Sequence, residues 1–420
     1  MPPRIQSSGR KPVAPSAAMV QKCQQLAAQF RQAMAQLDYP RARQCCEQVL
    51  RMMPGNMSVL SDYALALMRE GNYSQAYKTY QRIEASPFRQ QASETWLDGL
   101  AEVCGWLGKT EELQRYGHRS LRAADDKFRH GQRWPLGPIK PFNPQARDKN
   151  IIAFSLYGAQ PRYCETLVEN IKAAAELYPH WRCRVYLDDS VPEHVWQRLR
   201  DAGAQLRDMS GDKDIFPTLW RFLVMDDPLV ERFIVRDADS LVSERESAAV
   251  QAWLASPYHF HHMRDYFTHT ELLLAGMWGG VNGVFPRVEP LIQNFIASYQ
   301  GAERFTDQYF LKAMLWPTVR ESILNHDELF NFHHAQPWPA HGPIRWQTDA
   351  FHVGSNAGYS RAVGSSTLAD GARQTIALVS AGQRYSYQAS VANGEWSISL
   401  PFFLAQAHQQ GTLSIVAEAS

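Results

Sequence analysis

Apolar and polar positions follow one another along this chain in three different ways. From residue 17 to 128 apolar residues recur three and four apart, broken only by short Gly/Asn/Pro stretches, which predicts helices throughout. Residues 134–145 then hold four prolines in twelve positions, which blocks helix and central strand alike, so 131–147 reads as a linker. Beyond it short apolar runs alternate with helical patterns. Strands are expected at 151–156, 183–187, 204–206 and 232–236, and helices at 161–178, 192–202 and 217–227. That alternation predicts a parallel α/β sheet with helices on both faces over 148–360. From 361 to 420 the pattern shifts to short strands, at 375–379, 385–389 and 396–400, around Gly382 and Asn393-Gly394. This last stretch reads as a small β-rich module that either grips an acceptor or packs on the main domain.

The helical region, 17–130, repeats itself. Ala42 and Ala76 lie thirty-four residues apart, each followed by a proline, Pro54 and Pro87. The clearest unit runs Leu60, Tyr63, Ala64, Leu67, a turn at Gly71-Asn72-Tyr73, then Ala76, Tyr80 and Ile83. Small residues at Ala64 and Ala76 let two antiparallel helices approach, while the larger ones fill the space between units. The pattern resembles the tetratricopeptide repeat, with a period of about 34 residues. Phe30 departs from it, standing where a small residue is wanted, and the unit from Trp96 to Thr110 is degenerate. Such a surface is expected to dock a protein or position an acceptor.

Composition narrows the classes. With 45% hydrophobic and 20% charged residues in 420, the chain has the balance of a globular protein of two or three domains. A formal charge of +1 offers no reason to expect nucleic acid as partner, and no apolar run is long enough for a membrane span. Residues 1–16 are polar and Pro-rich and read as a disordered leader rather than a secretory signal. The six cysteines form no C-x-x-C pair and four sit in helical patterns, so reduced thiols and a cytoplasmic location are expected.

In open α/β sheets ligands sit beyond the carboxyl ends of the strands, where Tyr157, Asp188 and Asp237 should emerge. The apolar run Phe233-Ile234-Val235-Arg236 ends in Asp237-Ala238-Asp239-Ser240, two carboxylates one residue apart at an exposed strand end. Hard cations such as Mn²⁺ and Mg²⁺ take oxygen ligands and leave positions open for substrate phosphates. Gly276-Met277-Trp278-Gly279-Gly280-Val281-Asn282-Gly283 reads as a glycine-rich turn. Either its bare backbone at Gly279 and Gly280 lets a sugar donor approach, with Trp278 as a flat surface, or it is a tight turn between elements.

The motif order resembles a group of GT-A glycosyltransferase-like domains. It runs Trp220-Arg221-Phe222, Asp226-Asp227-Pro228, Val235 to Ser240, Arg245-Glu246, Trp253-Leu254, His262-Met263-Arg264-Asp265, His269, Gly276 to Gly279 and Asp307-Gln308-Tyr309-Phe310-Leu311. The resemblance covers roughly residues 150–355. It implies that Asp237 and Asp239 bind a divalent metal and the diphosphate of a uridine or guanosine diphosphate sugar, and that Arg221 and Arg236 hold nucleotide or phosphate. Asp307 becomes the first choice for catalytic base or acceptor orientation. Asp265 and His269 face the acceptor or the sugar, although Tyr266-Phe267 stand where Pro and His are expected. Among the late histidines (His326, His333, His334, His341 and His352), His352 is first and His326 second to close the metal site. His259 and His261 alternate along a strand, without a matching second cluster for zinc. The implied activity is metal-dependent sugar transfer to a protein or glycan acceptor. Its rivals are a repeat scaffold with a silent α/β domain and a metal-dependent phosphohydrolase.

Overall fold

The structure, a computed structural model, describes residues 16–418 apart from 213, 347, 349 and 350. The expected leader therefore lies outside the described residues except for Ser16, whose hydroxyl accepts from the Met19 amide and caps the first helix. The chain divides into two compact units, Met1–Ser120 and Leu121–Ser420.

The first unit is built of helices α1 Ala17–Ala35, α2 Tyr39–Met52, α3 Met57–Arg69, α4 Tyr73–Glu84, α5 Trp96–Trp106 and α6 Thr110–Phe128, the division falling within α6. Asp38 and Asn56 cap α2 and α3 by accepting from the amides of Arg41 and Val59. Gly71 follows α3 at a φ of 84°, a conformation that costs glycine nothing. Ala42, Ala64 and Ala76 are fully buried at the helix contacts. A Cβ on Gly99 would strike the Tyr80 ring, which explains the missing side chain on α5. Phe30, the residue too large for the repeat, is half-buried against Ala33, Ala42 and Ala66. All six cysteines are free thiols. Burial pushes Cys104 and Cys183 up to about 12, so both pack as inert apolar groups. Among the described residues no helix is long and apolar enough to cross a membrane.

The second unit opens with β1 Asn150–Leu156, α7 Pro161–Leu177, β2 Arg182–Leu187, α8 Glu193–Asp201, β3 Gln205–Asp208, a 3-10 segment Pro217–Asp226 and β4 Arg232–Arg236. It continues with α9 Glu244–Leu254, β5 Phe260–Arg264, β6 Met277–Val281, α10 Val288–Ser298, α11 Thr306–Phe310, a π-helical turn Leu311–Leu315, α12 Trp316–Val319 and β7 Ile323–Asp327. The seven strands run in the order β3-β2-β1-β4-β6-β5-β7. The sheet is mixed, not parallel as expected, because β6 runs antiparallel to both β4 and β5. An apolar run looks the same in either direction, so its pattern does not encode strand sense. The helix expected at 217–227 is the 3-10 segment, pinned by its Arg221 amide to the Ser155 hydroxyl of β1 at 3.0 Å. The chain leaves β1 toward β2 and β3 on one side and returns to β4 on the other. The carboxyl ends of β1 and β4 therefore flank a topological switch point.

The C-terminal stretch forms β8 Tyr359–Ser365, β9 Arg373–Ser380, β10 Gln383–Ala392, β11 Glu395–Pro401, α13 Phe402–Gln409 and β12 Ser414–Ala417. The strands make one antiparallel sheet in the order β12-β9-β10-β11-β8. Its inward residues, Ile376, Tyr387, Val391 and Ile398 among them, share one core with Cys164, Leu167 and Val168 of α7. Buried Glu165 of α7 joins the layers: it takes both arms of Arg198 from α8, at 2.6 and 2.9 Å, and the Tyr387 hydroxyl from β10. Glu165→Ala leaves the half-buried Arg198 charge uncompensated and should cost about 3–5 kcal/mol, against about 1 kcal/mol for Tyr387→Phe. Urea unfolding of both variants checks the ranking, and equal costs would remove Glu165 from this role.

Candidate functional site

At the carboxyl ends of β1 and β4 lies a pocket of about 240 Å³ whose lining includes Tyr157, Arg221, Asp237, Asp239, Arg304 and Asp307. Arg221 organises it from below. Its buried guanidinium donates to the Asp237 carboxylate, to the Arg236 carbonyl at 3.1 Å and to Asp307 Oδ2 at 2.9 Å. Burial opposes the Arg221 charge, but Asp237 and Asp307 outweigh it and hold its pKa above the ordinary value. Asp307 stands in the first turn of α11, where Oδ1 accepts from the Gln308 amide at 2.8 Å. Burial raises the Asp307 carboxyl and Arg221 pulls against that rise. Asp239 is also raised, by burial first and then by Asp237, while Arg162 at 3.1 Å pulls it down. Asp237 rests against the bare backbone of Gly276, where a Cβ would collide with its carboxylate. Tyr157 stays 45% exposed at the mouth, edge-on to Trp220.

Several of the candidates stand elsewhere. Successive side chains of a strand point to opposite faces, and Arg236 turns under the sheet. There it donates to Glu246 of α9 at 3.0 Å, beside the Tyr178 hydroxyl on the same carboxylate. It is 2% exposed and does not line the pocket. Asp188 ends β2 but accepts from Ser190 in its own turn and is likewise absent from the lining. Gly279 and Gly280 lie inside β6, not in a turn. Cβ atoms there would meet the Phe233 carbonyl and the Phe260 ring, so these glycines answer to sheet packing. Trp278 is fully buried against Phe222 and Phe233 and offers no exposed platform.

Asp265, His269 and His352 form a group of their own. The His269 ring nitrogen Nδ1 accepts from the amides of Asp265 and Tyr266, at 3.3 and 3.2 Å. His352 stacks on Tyr266 at 3.7 Å, with the His269 ring 5.2 Å away. Burial holds His269 neutral, its pKa well below the ordinary value. The segment carrying His352 is tied to the end of β4: the Ala357 amide donates to the Asp239 carbonyl at 2.6 Å and the Ser240 hydroxyl to the Gly354 carbonyl at 2.9 Å. His326 sits buried in β7 beside Trp338, with burial lowering it to about 4. His261 is buried against Trp253, whereas His259 bonds to Ser322 and the Gly137 carbonyl. Among the described residues no group of three or more His, Cys, Asp or Glu side chains is arranged to hold a metal.

Arg162, which pairs with Asp239, and the lining residues Tyr163 and Arg304 escaped the sequence reading. The first two open α7 directly after β1, with the Arg162 guanidinium 4.5 Å from the Tyr163 ring. A basic and an aromatic residue just past the first strand end were visible signals. Arg304 lies in a 3-10 turn, Glu303–Phe305, just before α11 and carried none.

The Asp265 carboxyl yields a pH prediction. Burial pushes it from the usual carboxylate range up to about 6, and among the described residues its Oδ1 has no hydrogen-bond partner. The folded chain therefore holds this proton more tightly than the unfolded chain does. Stability should fall as pH rises from about 4 to about 6 and stay lower above that window. Relative to Asp265→Asn, which cannot titrate, the wild type should lose about 3 kcal/mol across it. Urea titrations of both proteins at intervals from pH 4 to 7 measure this, and parallel profiles would refute it.

Residues 33–91 match the family model of the tetratricopeptide repeat, so the helical unit contains such repeats. No curated protein matches the sequence. Among solved structures, an O-GlcNAc transferase mutant from Thermobaculum terrenum is similar over 48% of this chain and 44% of its own, at 18% identity and a TM-score of 0.28. This chain thus spans less than half the length of that protein.

Proposed function

We propose that the chain transfers a sugar from a nucleotide-diphosphate donor to an acceptor hydroxyl, and that its repeats dock a protein or glycan acceptor. The observation that carries this reading is the meeting of Asp237, Asp239, Asp307 and Arg221 in one pocket at the switch point of the sheet. This meeting supports the GT-A-like site that the motif order implies. Asp237 and Asp239 offer oxygen donors of the kind that Mn²⁺ or Mg²⁺ takes. The remaining positions would fall to donor phosphates and water. A bound ion would supply Lewis-acid stabilisation of the leaving diphosphate. Asp307 would orient the acceptor hydroxyl or take its proton, with Arg221 holding its carboxylate in place. Tyr157 and Arg304 would bound the mouth, and His352 and the Asp265–His269 pair would lie to the acceptor side.

One observation favours the scaffold reading. Two neighbouring carboxylates without a cation repel each other, but here Arg221 and Arg162 already neutralise Asp237 and Asp239. The pair therefore does not require a metal for its stability. A phosphohydrolase finds less support, since Asp188, its extra strand-end carboxylate, stands outside the pocket.

Melting temperatures with uridine and guanosine diphosphate sugars, with and without Mn²⁺, test the proposal. One donor should raise the wild-type midpoint by roughly 2–4 °C only with metal, and Asp239→Ala should abolish the shift. With that donor, Asp307→Asn should keep the shift and lower transfer at least about a hundredfold. Absence of any metal-dependent shift in folded wild type would leave the repeat scaffold as the better account.

A further inference from the structure

Five arginines of the second unit are buried: Arg184, Arg221, Arg232, Arg236 and Arg264. Four of them reach a carboxylate. Arg184 pairs with Asp227, Arg221 with Asp237 and Asp307, Arg236 with Glu246, and Arg264 with Asp327. Arg232 does not, among the described residues. Its guanidinium donates to two main-chain carbonyls, those of Glu231 at 3.1 Å and of Lys140, which satisfies hydrogen bonds but makes no ion pair; the Glu231 carboxylate, paired with Lys149, offsets the charge only from a distance and burial outweighs it. It is 4% exposed, and burial holds its pKa below the ordinary value.

Arg232 begins β4, at the opposite end of the strand from Asp237, and it lines a cleft of about 580 Å³. Lys140, Lys149 and Arg287 line the same cleft, with Asp226 and Glu231 as its carboxylates. Both carboxylates are committed. Asp226 accepts from the amides of Val288 and Glu289 at the start of α10, and Glu231 pairs with Lys149 at 2.9 Å. Arg287 pairs with Glu289 at the surface. Four cations against two committed carboxylates leave the cleft positive. A buried charge without a counter-charge is costly, and an anion seated beside it would remove that cost.

We propose that this cleft binds a phosphate-bearing small molecule, with Arg232 at its floor and Lys140, Lys149 and Arg287 around the phosphate. A phosphomonoester carries about −1.5 to −2 charges near neutral pH, which offsets the positive charge that remains after Lys149 pairs with Glu231 and Arg287 with Glu289. The planar fork of a guanidinium suits phosphate oxygens. The cleft exceeds a lone phosphate in size, and Met225, Leu229 and Phe285 give the rest of the ligand apolar walls. The site is independent of the donor pocket.

The test uses the full chain, a metal chelator and inorganic phosphate as the probe, against sodium chloride of equal ionic strength. Phosphate at about 20 mM should raise the melting temperature by about 2 °C or more beyond chloride. Asp239→Ala should keep that response, because it alters only the donor pocket. Arg232→Met should lose it while melting no lower than wild type in chloride, since it removes a buried charge that makes no ion pair. If Arg232→Met does not fold, the exposed pair Lys140→Ala with Arg287→Ala serves instead. It should need roughly tenfold more phosphate for the same shift. Equal shifts in phosphate and chloride, or an undiminished response in these variants, would overturn the proposal.

Discussion

The guanidinium of Arg221 lies between a carboxylate at the end of β4 and another at the start of α11, while its own amide is fixed to the Ser155 hydroxyl of β1. Three segments far apart in the chain are thereby held at one point, and the pocket is the space above it. A buried arginine of this kind tolerates no loose partner, because removing either carboxylate leaves charge stranded away from water. The constraint also explains the 3-10 segment, since it must deliver Arg221 beneath the sheet end while its main chain stays bonded to β1. It sets the chemistry as well. Burial raises the Asp307 carboxyl and Arg221, bonded to its Oδ2, pulls against that rise.

Buried arginine–carboxylate pairs recur through the α/β unit as its joints. Arg236 with Glu246 ties β4 to α9, Arg264 with Asp327 ties β5 to β7, and Arg198 with Glu165 joins α8 to α7 beneath the C-terminal sheet. Each links elements that apolar packing alone would leave free to slide. Against that pattern the carboxylate-free Arg232 stands out, and so does the pairing of both Asp237 and Asp239 with arginines. In the first case a cation awaits an anion. In the second, arginines already hold both carboxylates, so the ion of the proposed site would compete with Arg221 and Arg162.

Much of this organisation is legible in the residues themselves. The spacing of Ala42 and Ala76 announces the repeats, the prolines from 135 to 144 mark where the helical pattern stops, and the apolar run ending in Asp237-Ala238-Asp239 marks a strand end with two carboxylates. Element types follow because periods of 3.6 and 2 are local properties of the chain. The antiparallel sense of β6 was not legible, since alternation carries no direction. Nor was the fate of Gly279 and Gly280, whose bareness answers to the Phe233 carbonyl and the Phe260 ring. Arg236 was misplaced for a related reason: lying beside Asp237 in sequence puts it on the opposite face of the strand.

What the sequence by itself determined is therefore the repeat helices, the first four strands of the α/β sheet with their order, and the presence of paired acidic groups at a strand end. Which side chains meet was decided only by the tertiary structure. Arg221 finds Asp307 across 86 positions, and Arg162 finds Asp239 across 77. Arg232 finds no carboxylate at all among the described residues. The physical reason is that partnership between buried charges depends on strand order and on the face each residue presents. Both are properties of the assembled sheet, not of local spacing.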